Sequence, residues 1–195
     1  MGFVKRAIVL TAVLVVAGLG VWLWWNSYTE ARLDRSMARR NSLNMITLDC
    51  ADSAGQQTRG GEKVVGGVEG LVLPGSGNPS ALSPLRSVDG RRYFVYKAFL
   101  AVSSNAAPYA TVSIVSPKGA TLYYGSAGEV GRLSSSHHGR ALVAASRTHV
   151  RLEVCGAGFT GYVGGVIVER PALVTFAVSS PHRTTRLVSI PVGTD

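Results

Sequence analysis

Residues 7–25 are 19 consecutive uncharged, mostly apolar positions. As a helix rising 1.5 Å per residue, the run spans roughly 28 Å, close to the hydrocarbon thickness of a bilayer. It predicts a chain that crosses a membrane once and carries a separately folding body behind the crossing. Lys5 and Arg6 precede the run, and Trp22, Trp24 and Trp25 close it, where indole rings favour the membrane-water interface. A cleaved signal peptide would have a shorter apolar region followed by a small-x-small site. Val15-Val16-Ala17 is the nearest approach to one, and cleavage there would leave three tryptophans on an exposed new terminus. The expected organisation is a short cytoplasmic tail (1–6), a transmembrane signal-anchor helix (7–25), a juxtamembrane helical stalk (26–46) and a folded domain (47–195).

Two principles compete over sidedness. Arg32, Arg35, Arg39 and Arg40 follow the run, and by a strict positive-inside count they would retain the domain in the cytoplasm. A long domain behind a signal-anchor, however, translocates largely regardless of its charge. The chain also has just two cysteines, Cys50 and Cys155, whose pairing suits an oxidising compartment. A single-pass cell-membrane protein with its C-terminal domain extracytoplasmic is therefore expected.

Ser27 and Glu30 form a Ser-x-x-Glu capping box, and Leu33 and Met37 lie one turn apart, as a stalk helix requires. Arg32, Arg35 and Arg39 share one face of it, so the expected partners are lipid head groups or an anionic envelope polymer. A plainly solvated helix face would have the same pattern. The net charge of +9 includes Lys5 and Arg6, leaving +7 for the rest of the chain. No recognition helix, zinc-finger spacing or aromatic ribonucleoprotein motif accompanies that charge, so no nucleic acid is expected.

From Val64 onward the pattern is strand after strand, with no amphipathic helical stretch long enough for a parallel crossover. Residues 64–73 are apolar but broken by glycines, and 92–102 form a long run containing Tyr93, Phe94, Tyr96, Phe99 and Leu100. In 111–115, Val112 and Ile114 alternate with Thr111 and Ser113. Pro117 and Gly119 suit the second and fourth positions of a type I turn, which predicts a hairpin with 120–124 as the partner strand. Val150, Leu152 and Val154 point inward from the next strand, and His149, Arg151 and Glu153 outward. Segments 162–168, 173–178 and 185–192 complete eight or nine strands, the spacing of an all-β antiparallel β-sandwich or jelly roll; a barrel is the other closed solution. A Cys50–Cys155 disulfide would close a loop of about 100 residues and staple the stalk side of the chain to the sandwich. Two separate buried thiols are the alternative.

The chain lacks a Ser-x-x-Lys signature, a Gly-x-Ser-x-Gly elbow, a phosphate loop and a His-Glu-x-x-His motif, and no catalytic residue, cofactor or metal is expected. Asp49 and Asp52 flank Cys50 in what reads as a polar entry loop, and His137 and His138 fall in a Ser- and Gly-rich loop over 125–140. The enzyme alternative is a sortase-like transpeptidase with Cys155 as nucleophile, His137 or His138 as base and Arg170 as oxyanion stabiliser. Leu152-Glu153-Val154 lacks the threonines that family carries before its cysteine. Tyr93, Tyr96, Tyr123, Tyr124 and Tyr162 are either a sugar-stacking platform or core.

The segments Arg92-Tyr93-Phe94-Val95-Tyr96-Lys97-Ala98, Leu122-Tyr123-Tyr124-Gly125 and Tyr162-Val163-Gly164-Gly165-Val166 resemble stretches of uncharacterised membrane-anchored proteins of actinobacteria. The resemblance spans most of the chain after Cys50 and implies an anchored extracytoplasmic domain, with no activity or ligand to carry over. The expected function is a non-catalytic binding or structural role at the bacterial cell envelope. Its expected partners are the bilayer and an anionic polymer, carbohydrate or another envelope protein.

Overall fold

The computed structural model describes residues 44–57, 64–69, 79–88, 90–133 and 139–194. Eleven strands lie among them: β1 (Met45–Leu48), β2 (Gln56–Gln57), β3 (Val68–Glu69), β4 (Leu82–Val88), β5 (Arg91–Ser103), β6 (Tyr109–Ser116), β7 (Thr121–Gly125), β8 (His149–Glu153), β9 (Phe159–Val168), β10 (Ala172–Ser180) and β11 (Arg183–Val192). Two short helices, α1 (Ala127–Leu133) and α2 (Gly139–Ala145), separate β7 from β8. The described residues are mostly strand and arranged in two sheets, as an all-β sandwich requires.

One sheet has the order β1-β8-β6-β10-β11. The other is built on β5 and β9, which pair antiparallel over ten residues from Phe94↔Val168 to Ser103↔Phe159. β7 and β2 share the free edge of β9, pairing with Ile167–Val163 and Thr160–Phe159 respectively. β4 and β3 likewise share the free edge of β5. The second sheet is therefore effectively four strands wide. The inner faces meet in one cluster that includes Tyr96, Leu100, Val102, Tyr124, Tyr162 and Val166 from this sheet and Ile46, Leu48, Val112, Val150, Leu152, Phe176 and Val178 from the other.

The alternation read over 111–115 and 149–153 holds: Val112, Val150 and Leu152 are fully buried, while His149 and Glu153 are exposed. Four expectations need correction. The sandwich is not wholly antiparallel, because β1 runs parallel to β8 from Met45↔His149 to Leu48↔Leu152. Met45 and Ile46, expected at the end of the stalk, are part of that strand, and Ile46 reaches the core because its side chain is apolar at the inward parity. Segment 64–73 does not start as one strand: a tight turn closed by the Val65↔Val68 bridge, with Gly66 and Gly67 at positive φ, precedes β3, and 70–73 lie outside the described residues.

The fourth correction concerns 116–120. β6 already has β8 on one edge and β10 on the other, so no edge remains for a hairpin partner. The chain instead crosses to the opposite sheet, where β7 joins β9. The turn is one residue later than expected: the Ala120 amide donates to the Pro117 carbonyl at 3.3 Å, which puts Gly119 (φ +90°) at the third position of a type II turn.

The loop expected over 125–140 contains α1 and the start of α2. The Ser126 hydroxyl accepts the Glu129 amide at 3.4 Å and the Ser126 carbonyl accepts the Val130 amide at 2.9 Å, which start α1. The Arg147 guanidinium donates to the Ala144 and Ser146 carbonyls at 2.7 Å, satisfying acceptors left open beyond the end of α2. Both helices contact β7, α1 also contacts β9 and α2 also contacts β4. Leu133, Leu142 and Ala145 are buried, as are Leu85, Val95, Tyr123 and Ile167, none of them in the central cluster. Their strand positions share the outer parity of the β5-β9 sheet, where Val95 pairs with Ile167 and Tyr123 with Gly165. The helices form a third layer there.

Candidate functional site

Cys50 and Cys155 form the expected disulfide, with Cα atoms 5.5 Å apart and a sequence separation of 105. Cys50 opens a 3-10 turn, Cys50–Asp52, within the polar entry loop expected from the sequence. Asp49 caps the turn by accepting the Ala51 amide at 2.9 Å, and Asp52 answers by accepting the Asp49 amide at 3.3 Å. Cys155 follows β8, and its amide donates to Thr160 Oγ1 at 2.9 Å. Beneath the bridge the Tyr162 hydroxyl donates to the Glu153 carbonyl at 2.6 Å and lies 3.6 Å from Cys155 Sγ. Burial, with Glu153, Asp52 and Asp49 nearby, pushes the Tyr162 phenol well above its usual pKa.

This arrangement can brace a corner, and it leaves no thiolate for acyl transfer, since no cysteine is free. Arg170 is exposed on the turn after β9, while His137 and His138 lie outside the described residues. The interface residues expected at the anchor and stalk, Lys5, Arg6, Trp22, Trp24, Trp25, Arg32, Arg35 and Arg39, also lie outside them. Among the described residues no helix is long and apolar enough to cross a membrane. No group of three or more His, Cys, Asp or Glu side chains stands together there at metal-ligand spacing.

The tyrosines are core. Tyr96, Tyr123, Tyr124 and Tyr162 are all buried, and only Tyr93 among the five is partly open. Gly164 and Gly165 explain two of them. Tyr124 pairs with Gly164 and Tyr123 with Gly165 across the β7-β9 ladder. A Cβ on Gly165 would overlap the Tyr96 carbonyl oxygen and come within 2.8 Å of the Tyr123 ring; one on Gly164 would overlap the Tyr123 carbonyl oxygen and the Tyr124 ring. The glycine pair thus lets the two rings, 6.4 Å apart, pack against β9 from opposite faces of the sheet. Burial raises both phenols far above their ordinary pKa, and the Tyr123 hydroxyl has no hydrogen-bond partner among the described residues.

Two surfaces remain. On the outer face of the five-stranded sheet, β10 and β11 carry the most exposed large apolar side chains, Leu173 (60 %) and Leu187 (67 %), with Val115 (57 %) at the β6 bulge where Thr175 pairs with Ser116 and Phe176 with Ile114. Between the two leucines on that face Thr175 and Ser189 share a hydrogen bond of 2.9 Å, and elsewhere on it Arg151 stacks its guanidinium 3.6 Å from the Tyr109 ring centroid. The second surface is a groove of about 470 Å³ between α1 and the outer face of the other sheet. Lys97, Ala98, Phe99, Val163 and Gly164 form its floor, and Ala127, Val130 and Gly131 form its wall. Sequence reasoning missed it, although the apolar residues at both parities of β5 and β9 signalled that both faces of these strands are covered.

Against family models, curated proteins and solved structures alike, the chain has no match.

Proposed function

We propose that this chain is a membrane-anchored extracytoplasmic β-sandwich protein with a non-catalytic binding role at the bacterial cell envelope. In this reading residues 7–25 are the single-pass anchor, 26–44 link it to the sandwich, and Lys5, Arg6, Trp22, Trp24 and Trp25 mark its two interfaces. The observation that supports it best is the disulfide between the only two cysteines, Cys50 and Cys155. Such a bridge persists in an oxidising compartment, and it occupies the one residue type from which nucleophilic catalysis had been argued. The actinobacterial resemblance points the same way. The basic surplus of the chain suits anionic surroundings, and the exposed leucines of β10 and β11 suit a protein partner.

Proteinase K added to intact cells tests the placement. The reading expects digestion of the domain without permeabilisation, leaving a small membrane-embedded fragment. A domain that survives on intact cells and is lost only after permeabilisation would put it in the cytoplasm and sink the reading.

A further inference from the structure

Among the described residues that line the groove over the β5-β9 sheet, one has a polar side chain, Lys97, which is exposed at the rim. No carboxylate among the described residues pairs with its ammonium. Phe99, Val130 and Val163 supply the bulk of the walls, and each is only partly buried. On the α1 side the wall thins at Gly131. Glycine disfavours helix, yet Gly131 stands within this seven-residue one, and a Cβ there would meet nothing within 4 Å. Larger side chains would fit, and their absence leaves the space open. Its volume of about 470 Å³ falls in the range of small-molecule sites.

A ligand matched to this lining has one anionic end and one unbranched apolar body. Sugars and nucleotides would bring polar groups that this described lining cannot satisfy. A phosphodiester with two tails would need more donors than one ammonium and more room than one groove. From this geometry we propose that the groove binds a long-chain carboxylate, its head paired with Lys97 and its tail laid along Phe99, Val130 and Val163. The inference deepens the envelope-binding reading by naming a ligand class, and rests on that reading only for where the ligand is met.

The full chain in phosphatidylcholine vesicles, photolabelled with a diazirine-bearing palmitate and mapped by mass spectrometry, tests it. Label is expected on β5, β9 and α1, and palmitate should compete for it about fivefold better than hexadecanol, the advantage of one exposed ion pair. Gly131→Leu fills the groove and should abolish that label. Lys97→Glu, an exposed change that leaves the fold intact, should erase the preference for palmitate. Absence of label on these elements, unchanged labelling of Gly131→Leu, or equal competition by hexadecanol would each overturn the proposal. Protease shielding on intact cells would instead sink the extracytoplasmic placement and leave the vesicle result standing, so the two failures are distinguishable.

Discussion

Replacing Cys50 and Cys155 by serine removes a covalent link between residues 105 apart, and the magnitude follows from chain statistics. For a closed loop of that size the bridge removes about 16 cal/mol/K from the unfolded ensemble, which corresponds to about 4.8 kcal/mol at 25 °C. Little else changes on substitution, because Cys50 is exposed and Cys155 only half-buried, so the apolar transfer contribution of the two sulfurs is small. The cost therefore falls on the search. Without the bridge β1, four residues long, must find β8 as a parallel partner across almost the same sequence distance, and its reward is the burial of Ile46 and Leu48.

Urea unfolding of the full chain in a non-denaturing micelle, followed by the near-ultraviolet dichroism of its tyrosines, measures the effect. The double variant should lose about 4 to 5 kcal/mol of a total that for domains is about 5 to 15, and its m value should rise because the unfolded chain expands. Each single variant should lose as much as the double one, since either alone breaks the bridge. A loss below about 1 kcal/mol, or single losses that sum to the double, would refute the chain-entropy reasoning and leave only local contacts at the corner.

Other consequences are separable. Tyr123→Phe removes a buried hydroxyl without a partner among the described residues and should raise stability by about 1 kcal/mol in the same assay. Gly165→Ala forces a Cβ against the Tyr96 carbonyl and should lower it by about 3 kcal/mol, since backbone cannot yield as a side chain can. Leu142→Ala, at a fully buried position under the helical layer, should cost about 3 kcal/mol, whereas Leu187→Ala on the open face of the other sheet should change stability by less than about 0.5 kcal/mol. Tyr123, Tyr124 and Tyr162 all have folded-state pKa values raised by burial, so the unfolded chain releases protons first as pH climbs. Their contribution is complete below pH about 10 and declines above it, by about 1.4 kcal/mol per pH unit for each phenol, so phenolate absorbance should appear together with alkaline unfolding.

What was legible in the chain was what a period of two encodes. β8 and β6 alternate cleanly because each has one wet face, and the Cys50–Cys155 pairing followed because no other cysteine competes. The destination of a strand is not written in its own period. Residues 120–124 read as a hairpin partner for 111–115 because turn chemistry is local, while the decision to cross depends on β8 and β10, which arrive later in sequence and occupy both edges of β6. The helices escaped for a related reason. At seven residues, α1 and α2 are too short for a 3.6-residue periodicity to accumulate, and the glycines of α1 count against helix. Ser126 and Glu129 did carry a Ser-x-x-Glu start signal, the same pattern that marked Ser27 and Glu30.

The candidate groove is a consequence of that unread layer. A two-sheet sandwich needs one apolar face per strand, yet β5 and β9 carry apolar residues on both, with Val95, Phe99, Ala101, Val163 and Ile167 at the outer parity. Two seven-residue helices cannot cover strands of thirteen and ten residues. Val95 and Ile167, paired with each other, are sealed; Phe99 and Val163, four register pairs further along, are not. The open end is also where the helix wall turns to glycine and where Lys97 stands. An accidental gap in packing would be expected to shrink, because a single Gly131→Ala exchange gains helix propensity and meets no obstacle. That the vacancy is bounded by a removable glycine on one side and a lysine on the other is what separates a site from a flaw, and Gly131→Ala supplies the check. If the variant becomes more stable yet labels with the palmitate probe less well, stability is being forgone for binding; if it gains stability at no loss of labelling, the gap is only a gap.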